Sequence, residues 1–160
     1  MDQTRLEVRP FREEDVGQLH GLMMKLAEFE GYVSGVTERD LKDQGLCDDP
    51  SFEAFVAHET GKADLLGMAV IYTIPFTYTG RPNLVLKELF VEESARTLGV
   101  GSKLFEAVKR RAKALNCIEL LWTIVPWNDN ARAFYSKHGG RKEERWEAWI
   151  CDDFGDGDNG

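Results

Sequence analysis

Residues 96–102, Arg-Thr-Leu-Gly-Val-Gly-Ser, offer the means to hold an anion. They open a stretch with helical spacing, and helices ordinarily place acids in the first turn, where exposed amide N–H groups and the positive dipole end await them. Here the first acid is Glu106. Gly99 and Gly101 let a ligand approach the backbone closely, and Arg96 adds a full positive charge. The combination suits a pyrophosphate seated on a helix N-terminus. Two other phosphate motifs are excluded. The Walker pattern needs Gly-Lys-Ser/Thr, whereas the order here is Gly101-Ser102-Lys103, and the dinucleotide fingerprint needs a third glycine where Leu104 stands. A tight strand-to-helix turn is the alternative for the glycines taken alone.

Glu88 is a second candidate, in the run Leu84-Val85-Leu86-Lys87-Glu88-Leu89-Phe90-Val91. In a regularly alternating strand it shares a face with Leu84, Leu86 and Phe90, where an ionised carboxylate is costly without a partner. Two readings stand: a proton acceptor, or half of a core ion pair with an arginine. Glu28 and Glu30 flank Phe29 near the end of the first helical stretch. Carboxylates there can hold an ammonium group, with Phe29 or Tyr32 offering a π face. A solvated acidic helix end is the plainer reading, favoured for Glu28.

The elements that must position these residues follow from periodicity. Leu6 and Val8 alternate with charged neighbours as a short strand, and apolar residues recur at helical spacing from Arg12 to Glu30. Thr37-Glu38-Arg39-Asp40 resembles a capping signal for a second helix. Strands are expected at 53–58 and 65–74, joined as a hairpin through Thr60-Gly61-Lys62-Ala63-Asp64. The 84–91 run, apolar on both faces, reads as a central strand. A helix over 99–115 follows, with a stripe of Leu104, Val108, Ala112 and Leu115. Then come a buried strand over 118–125, a short helix over 128–138 stopped by Gly139 and Gly140, and a final strand over 145–151. Hairpins followed by strand–helix–strand imply an α/β (α+β) fold: a mixed, mostly antiparallel sheet flanked by helices. One domain is expected over 1–151, with 152–160 a disordered acidic and glycine-rich tail.

The chain has 160 residues, 42% of them apolar, enough for one core. A net charge of −8 argues against nucleic acid as partner, and the chief meaning of that charge is solubility. Cys47, Cys117 and Cys151 are odd in number and widely spaced, so neither a disulfide framework nor a zinc site is indicated. The tail lacks the terminal glutamate of a calcium loop, and no metal is expected. The opening MDQTRLEVRP has no apolar signal segment, and no stretch approaches membrane-spanning length. A cytoplasmic protein without membrane contact is expected. Trp122, Trp127, Trp146 and Trp149 read as core or interface residues, the last two as a dimer contact on the final strand.

Arg96-x-x-Gly99-x-Gly101 after Leu89-Phe90-Val91 resembles the acyl-coenzyme A motif of the GNAT superfamily of N-acetyltransferases. Trp127-Asn128-x-x-Ala131-x-x-Phe134-Tyr135-x-x-x-Gly139 resembles its next conserved block, at the expected distance. Within the superfamily, Leu26-Ala27-Glu28-Phe29-Glu30 and Thr37-Glu38-Arg39-Asp40-Leu41 are similar to the substrate-side segment of diamine acetyltransferases, the spermidine/spermine and thialysine type. The resemblance runs from about Val8 to Ile150.

It implies acetyl-coenzyme A as cosubstrate and a small-molecule primary amine as acceptor: a diamine, a polyamine or a thialysine-like amino acid. By resemblance, residues 96–102 hold the cofactor, joined by Leu89, Phe90 and Val91 through backbone groups, by Asn128, and by Tyr135 as general acid toward the thiolate. Asn128 also suits a helix cap. Glu88 becomes the proton acceptor, and Glu28 and Glu30 the holders of a second ammonium. The resemblance further implies a homodimer. One departure stands out: Lys87 occupies a position usually acidic in diamine acetyltransferases. It leaves open another acceptor (amino acid, aminoglycoside or protein amine) or a coenzyme A-binding sensor without catalysis.

Overall fold

The computed structural model describes residues 5–155. Its contacts divide the chain at Val125/Pro126 into two compact units. The larger holds strands β1 (Leu6–Pro10), β2 (Glu53–Glu59), β3 (Leu65–Ile74), β4 (Asn83–Val91) and β5 (Leu120–Leu121), with helices α1 (Val16–Glu30), α2 (Glu38–Gly45) and α3 (Val100–Ala114). The strands lie in sequence order in one sheet. Pairing is antiparallel from β1 to β4 and parallel between β4 and β5, the mixed arrangement expected. The smaller unit carries α4 (Asp129–Lys137).

Local sequence accounts for the helix ends. Thr37 caps α2 by accepting from the Asp40 amide while Asp40 accepts from Thr37, the reciprocal box read from the sequence. Helix α1 stops at Gly31, whose φ of 83° is the left-handed conformation that a residue with a side chain adopts only at a cost. The Gly31 and Tyr32 amides both donate to the Ala27 carbonyl, folding the chain back over the helix end.

One core layer joins Val16, Leu19, Leu22, Met23 and Leu26 of α1 and Leu41 of α2 to Val56, Met68, Val70 and Phe90 on one sheet face. On the other face α3 packs close. A Cβ added to Gly67 would lie 2.9 Å from the Phe90 carbonyl oxygen and 3.1 Å from both Leu104 and Val100. The start of α1 is fixed by an ion pair between half-buried Arg9 and buried Asp15. Arg9 donates to Asp15 through Nη1 at 2.6 Å and Nη2 at 3.1 Å, and the Arg12 amide adds a third bond at 2.8 Å. Burial pushes the Asp15 carboxyl up, but the Arg9 hydrogen bonds, the Arg12 amide and the nearby charges together hold it below the usual carboxylate value.

Two expectations are corrected. The strand read over 118–125 shrinks to Leu120–Leu121, because its ladder with β4 ends at Val85↔Leu121, just before β4 bulges. A bulge bends and twists its strand, and a parallel neighbour cannot follow it in register. The strand read over 145–151 does not form: the segment has no regular structure, and Trp146 and Trp149 are 69% and 88% exposed. Alternation marks a strand only where a neighbour supplies the ladder bonds. Trp127 is exposed as well, whereas Trp122 packs edge-on against Phe105 at 5.6 Å. Residues 152–155 are exposed and irregular, and 156–160 of the expected tail lie outside the described residues.

Gly67→Ala should cost about 1–3 kcal/mol by forcing α3 off the sheet, measurable by denaturant unfolding. Asp15→Asn should cost about 1–3 kcal/mol at neutral pH, since it leaves the half-buried Arg9 without its counter-charge. The pair's contribution is present above the unfolded value of 3.8 and lost as pH falls through the lower folded one. The gap between the two proteins should therefore narrow in acid.

Candidate functional site

Two helix ends in the larger unit carry the charge pattern opposite to the one the dipole favours. The last turn of α1 holds Glu28 and Glu30 and no base, and the first turn of α3 holds no acid. Such local mismatches are expected where a site, not stability, dictates the residue.

At α3, Gly99 is the N-cap with φ 78°, and no side chain caps it. The first intrahelical bond runs from the Lys103 amide to the Gly99 carbonyl at 3.1 Å. The amides of Val100 and Gly101 therefore face the helix start without an intrahelical acceptor. Arg96 is held against the end of β4: its Nε donates to the Val91 carbonyl at 3.2 Å, and its guanidinium lies 5.7 Å from the Phe90 ring centroid. Thr97 and Leu98 complete the turn, with the Leu98 amide donating to Ala95 at 3.1 Å. A cationic side chain beside a helix start that holds no acid and has no side-chain cap fits a pyrophosphate.

At β4, the structure corrects the placement of Glu88. Glu88 pairs with Val70 and Leu86 with the adjacent Ile71, so Lys87 stands opposite no residue of β3. The extra residue resets the alternation. Glu88 shares a face with Phe90, Val70 and Met68, on the α1 side, and not with Leu84 and Leu86. Leu89, half-buried, pairs with Ala69 on the α3 side, and Val91 ends the strand opposite Gly67.

The bulge and the α1 end meet in one cluster. The Tyr32 hydroxyl reaches Glu88 Oε1 at 3.5 Å, while Glu88 Oε2 is buried with no hydrogen-bond partner among the described residues. Among the described residues no arginine or lysine closes an ion pair with Glu88. Burial pushes the Glu88 carboxyl up; Lys87 opposes that rise and Glu30 adds to it. Burial likewise raises Glu30, with Lys87 opposing, and raises the Tyr32 phenol, reinforced by Glu88 and Glu30. Glu28 is exposed and stands apart from this set. Tyr32 is the member whose role the sequence left least defined. Its signal was the left-handed Gly31 that turns it back toward the helix end.

Asn128 and Tyr135 lie in the smaller unit. Asn128 caps α4 by accepting from the Ala131 amide at 3.0 Å, as its position suggested. Tyr135 is half-buried on α4, its ring edge-on to Phe134 at 5.2 Å.

Residues 13–140 match the model of the Acetyltransferase (GNAT) family. The chain belongs to this family. As a GNAT enzyme it is an acetyl-coenzyme A-dependent N-acetyltransferase. It is 28% identical to mouse thialysine N-epsilon-acetyltransferase, over 89% of this chain and 88% of that one. It is 25% identical to an L-ornithine N5-acetyltransferase of Arabidopsis thaliana, over 65% of this chain and 45% of that one. Its fold is similar to an aminoglycoside acetyltransferase from an uncultured soil sample in complex with sisomicin, with a TM-score of 0.75, 18% identity and coverage of 92% and 96%. An aminoglycoside N-acetyltransferase in complex with CoA gives 0.73, with 21% identity and coverage of 92% and 95%. Among the described residues no helix is long and apolar enough to cross a membrane.

The buried Glu88 carboxylate bears on stability with a definite sign. Its raised value means that its contribution is fully present below the unfolded value of 4.5 and is lost as pH rises through the folded one. Glu88→Gln should therefore melt higher than the parent at pH 8, by roughly 2–4 °C per kcal/mol recovered, and the difference should vanish near pH 4 in a thermal scan.

Proposed function

We propose that this GNAT enzyme transfers the acetyl group of acetyl-coenzyme A to a primary amine of a small cationic molecule: a diamine, a polyamine or a thialysine-like amino acid. The observation that carries the reading is the Glu88 carboxylate, buried at the bulge with an unpartnered oxygen and raised toward neutrality, beside Glu30 and Tyr32. A primary amine with pKa near ~10.4 arrives protonated and must shed a proton before it can attack. Acetyl-coenzyme A, when bound, supplies the activated thioester carbonyl.

In this reading Arg96, Gly99, Gly101 and the first-turn amides of α3 hold the pyrophosphate. Thr97, Leu98, Val100 and Ser102 line the same turn, and Leu89, Phe90 and Val91 hold the pantetheine arm through their backbone. Glu88 takes the proton of the acceptor ammonium. The nitrogen lone pair then forms the C–N bond as the C–S bond breaks, and the Tyr135 hydroxyl donates a proton to the departing thiolate; the nitrogen sheds its second proton to solvent on becoming an amide, and solvent reprotonates Tyr135. The carboxylate value, raised toward the working pH, suits a general base. Glu30 holds a second cationic group, with Glu28 a more distant contributor. The names of the relatives, which act on thialysine and ornithine, support a small amino compound as acceptor. A cytoplasmic homodimer completes the proposal.

The test is release of free coenzyme A from acetyl-coenzyme A across diamines, polyamines, thialysine, amino acids and aminoglycosides. Saturable turnover on the first three classes is expected. Turnover confined to aminoglycosides would discard the acceptor class, and binding of the cofactor without turnover would discard catalysis. Glu88→Gln should lower kcat by about 10²–10⁴, and Tyr135→Phe should lower kcat while cofactor affinity persists. The acid limb of kcat/KM should lie above the ordinary glutamate value of 4.5 and disappear in Glu88→Gln.

A further inference from the structure

The site described above holds a cation, Lys87, that the proton-transfer scheme does not use. Lys87 is the bulge residue of β4, exposed, and next in the chain to Glu88. Its charge acts on both Glu30 and Glu88, yet it closes an ion pair with neither. Two other exposed lysines of the larger unit are neutralised: Lys25 is paired with Glu92 at 2.5 Å and Lys62 with Glu59 at 2.7 Å. Lys87 keeps its ammonium beside the site without such a partner.

We infer that Lys87 is a specificity-determining residue that binds a carboxylate of the acceptor, making the preferred acceptor a diamino acid and not a simple diamine or polyamine. The inference rests on the functional reading given above and selects within it. Three charges converge at the site, two negative and one positive. An acceptor whose ammonium groups face Glu30 and Glu88 and whose carboxylate faces Lys87 satisfies all three. A polyamine satisfies only the acids and brings a further cation against Lys87, which costs binding. The bulge makes this geometry available. By inserting Lys87 between Leu86 and Glu88, it lets consecutive residues both serve the site, whereas in a regular strand they would point to opposite faces.

Matched acceptors that differ only in the carboxylate supply the test: lysine against 1,5-diaminopentane, and ornithine against 1,4-diaminobutane. The readout is the ratio of kcat/KM within each pair. A change in the basicity of Glu88 caused by altering Lys87 acts on both members and cancels in the ratio. The parent enzyme should favour the diamino acid about tenfold, chiefly through KM. Lys87→Gln should bring the ratio near one, Lys87→Glu should invert it, and Lys87→Arg should retain it. A parent ratio at or below one, or a ratio unmoved in Lys87→Gln, overturns the inference while the functional reading stands. Loss of turnover on every amine of the wider panel overturns that reading, and the inference with it.

Discussion

Lys87 stands opposite no residue of β3, and that single extra residue divides β4 between the two faces of the sheet. Before it, Leu84 and Leu86 serve the α3 layer; after it, Glu88 and Phe90 serve the α1 layer. Pairing with β5 ends at Val85↔Leu121, at the approach to the bulge, so the second half of β4 has no strand on its outer side. The main-chain groups of residues 87–91 lie on a strand edge that a substrate arm can use. A regular β4 would have put Glu88 under α3 and closed the edge.

The surrounding architecture holds this irregularity in place. Gly67 sits opposite Val91 and admits the side chains of Val100 and Leu104 to within van der Waals reach of the strand. The first turn of α3 is thereby seated at the end of β4. On the other face, the Arg9–Asp15 pair fixes where α1 begins, and Gly31 fixes where it ends. The acidic end of α1 is delivered to the bulge by features fifteen residues away in the same helix. The site is thus assembled from ends of elements, each terminated by a residue chosen for its backbone conformation or its charge.

Much of this was legible in the sequence. Periodicity located α1, α2, α3, β2, β3 and β4 to within a few residues, because each buries one face or both against a single core. The capping box at Thr37 and the acid-free glycine turn at 96–102 were readable because local backbone chemistry dictates them. The bulge was not. Lys87 and Glu88 alternate in sequence as ordinary strand residues do, and the shift depends on which residue of β3 each one faces. The same limit explains the 145–151 segment, read as a strand that no neighbour among the described residues completes. The Arg9–Asp15 pair escaped notice for a related reason: two common charged residues six apart acquire meaning only when burial removes their water.

The two margins of the sheet have a bearing on how the chain behaves while it folds. On one side β1 is five residues long, carries charged Glu7 and Arg9, and ends in Pro10, which has no amide proton to offer. On the other, β5 contributes only two residues. The first margin is short, charged and ended by proline, and the second, where β4 runs on past β5, is bent by its bulge and carries Lys87 and Glu88, so the growth of one sheet onto another, the usual route from nascent β-structure to insoluble aggregate, finds no flat template to build on. The apolar run of 84–91, the segment most prone to such misassembly, is covered along one side by β3 as soon as that hairpin forms, and its open half on the other side begins with the charged pair Lys87 and Glu88.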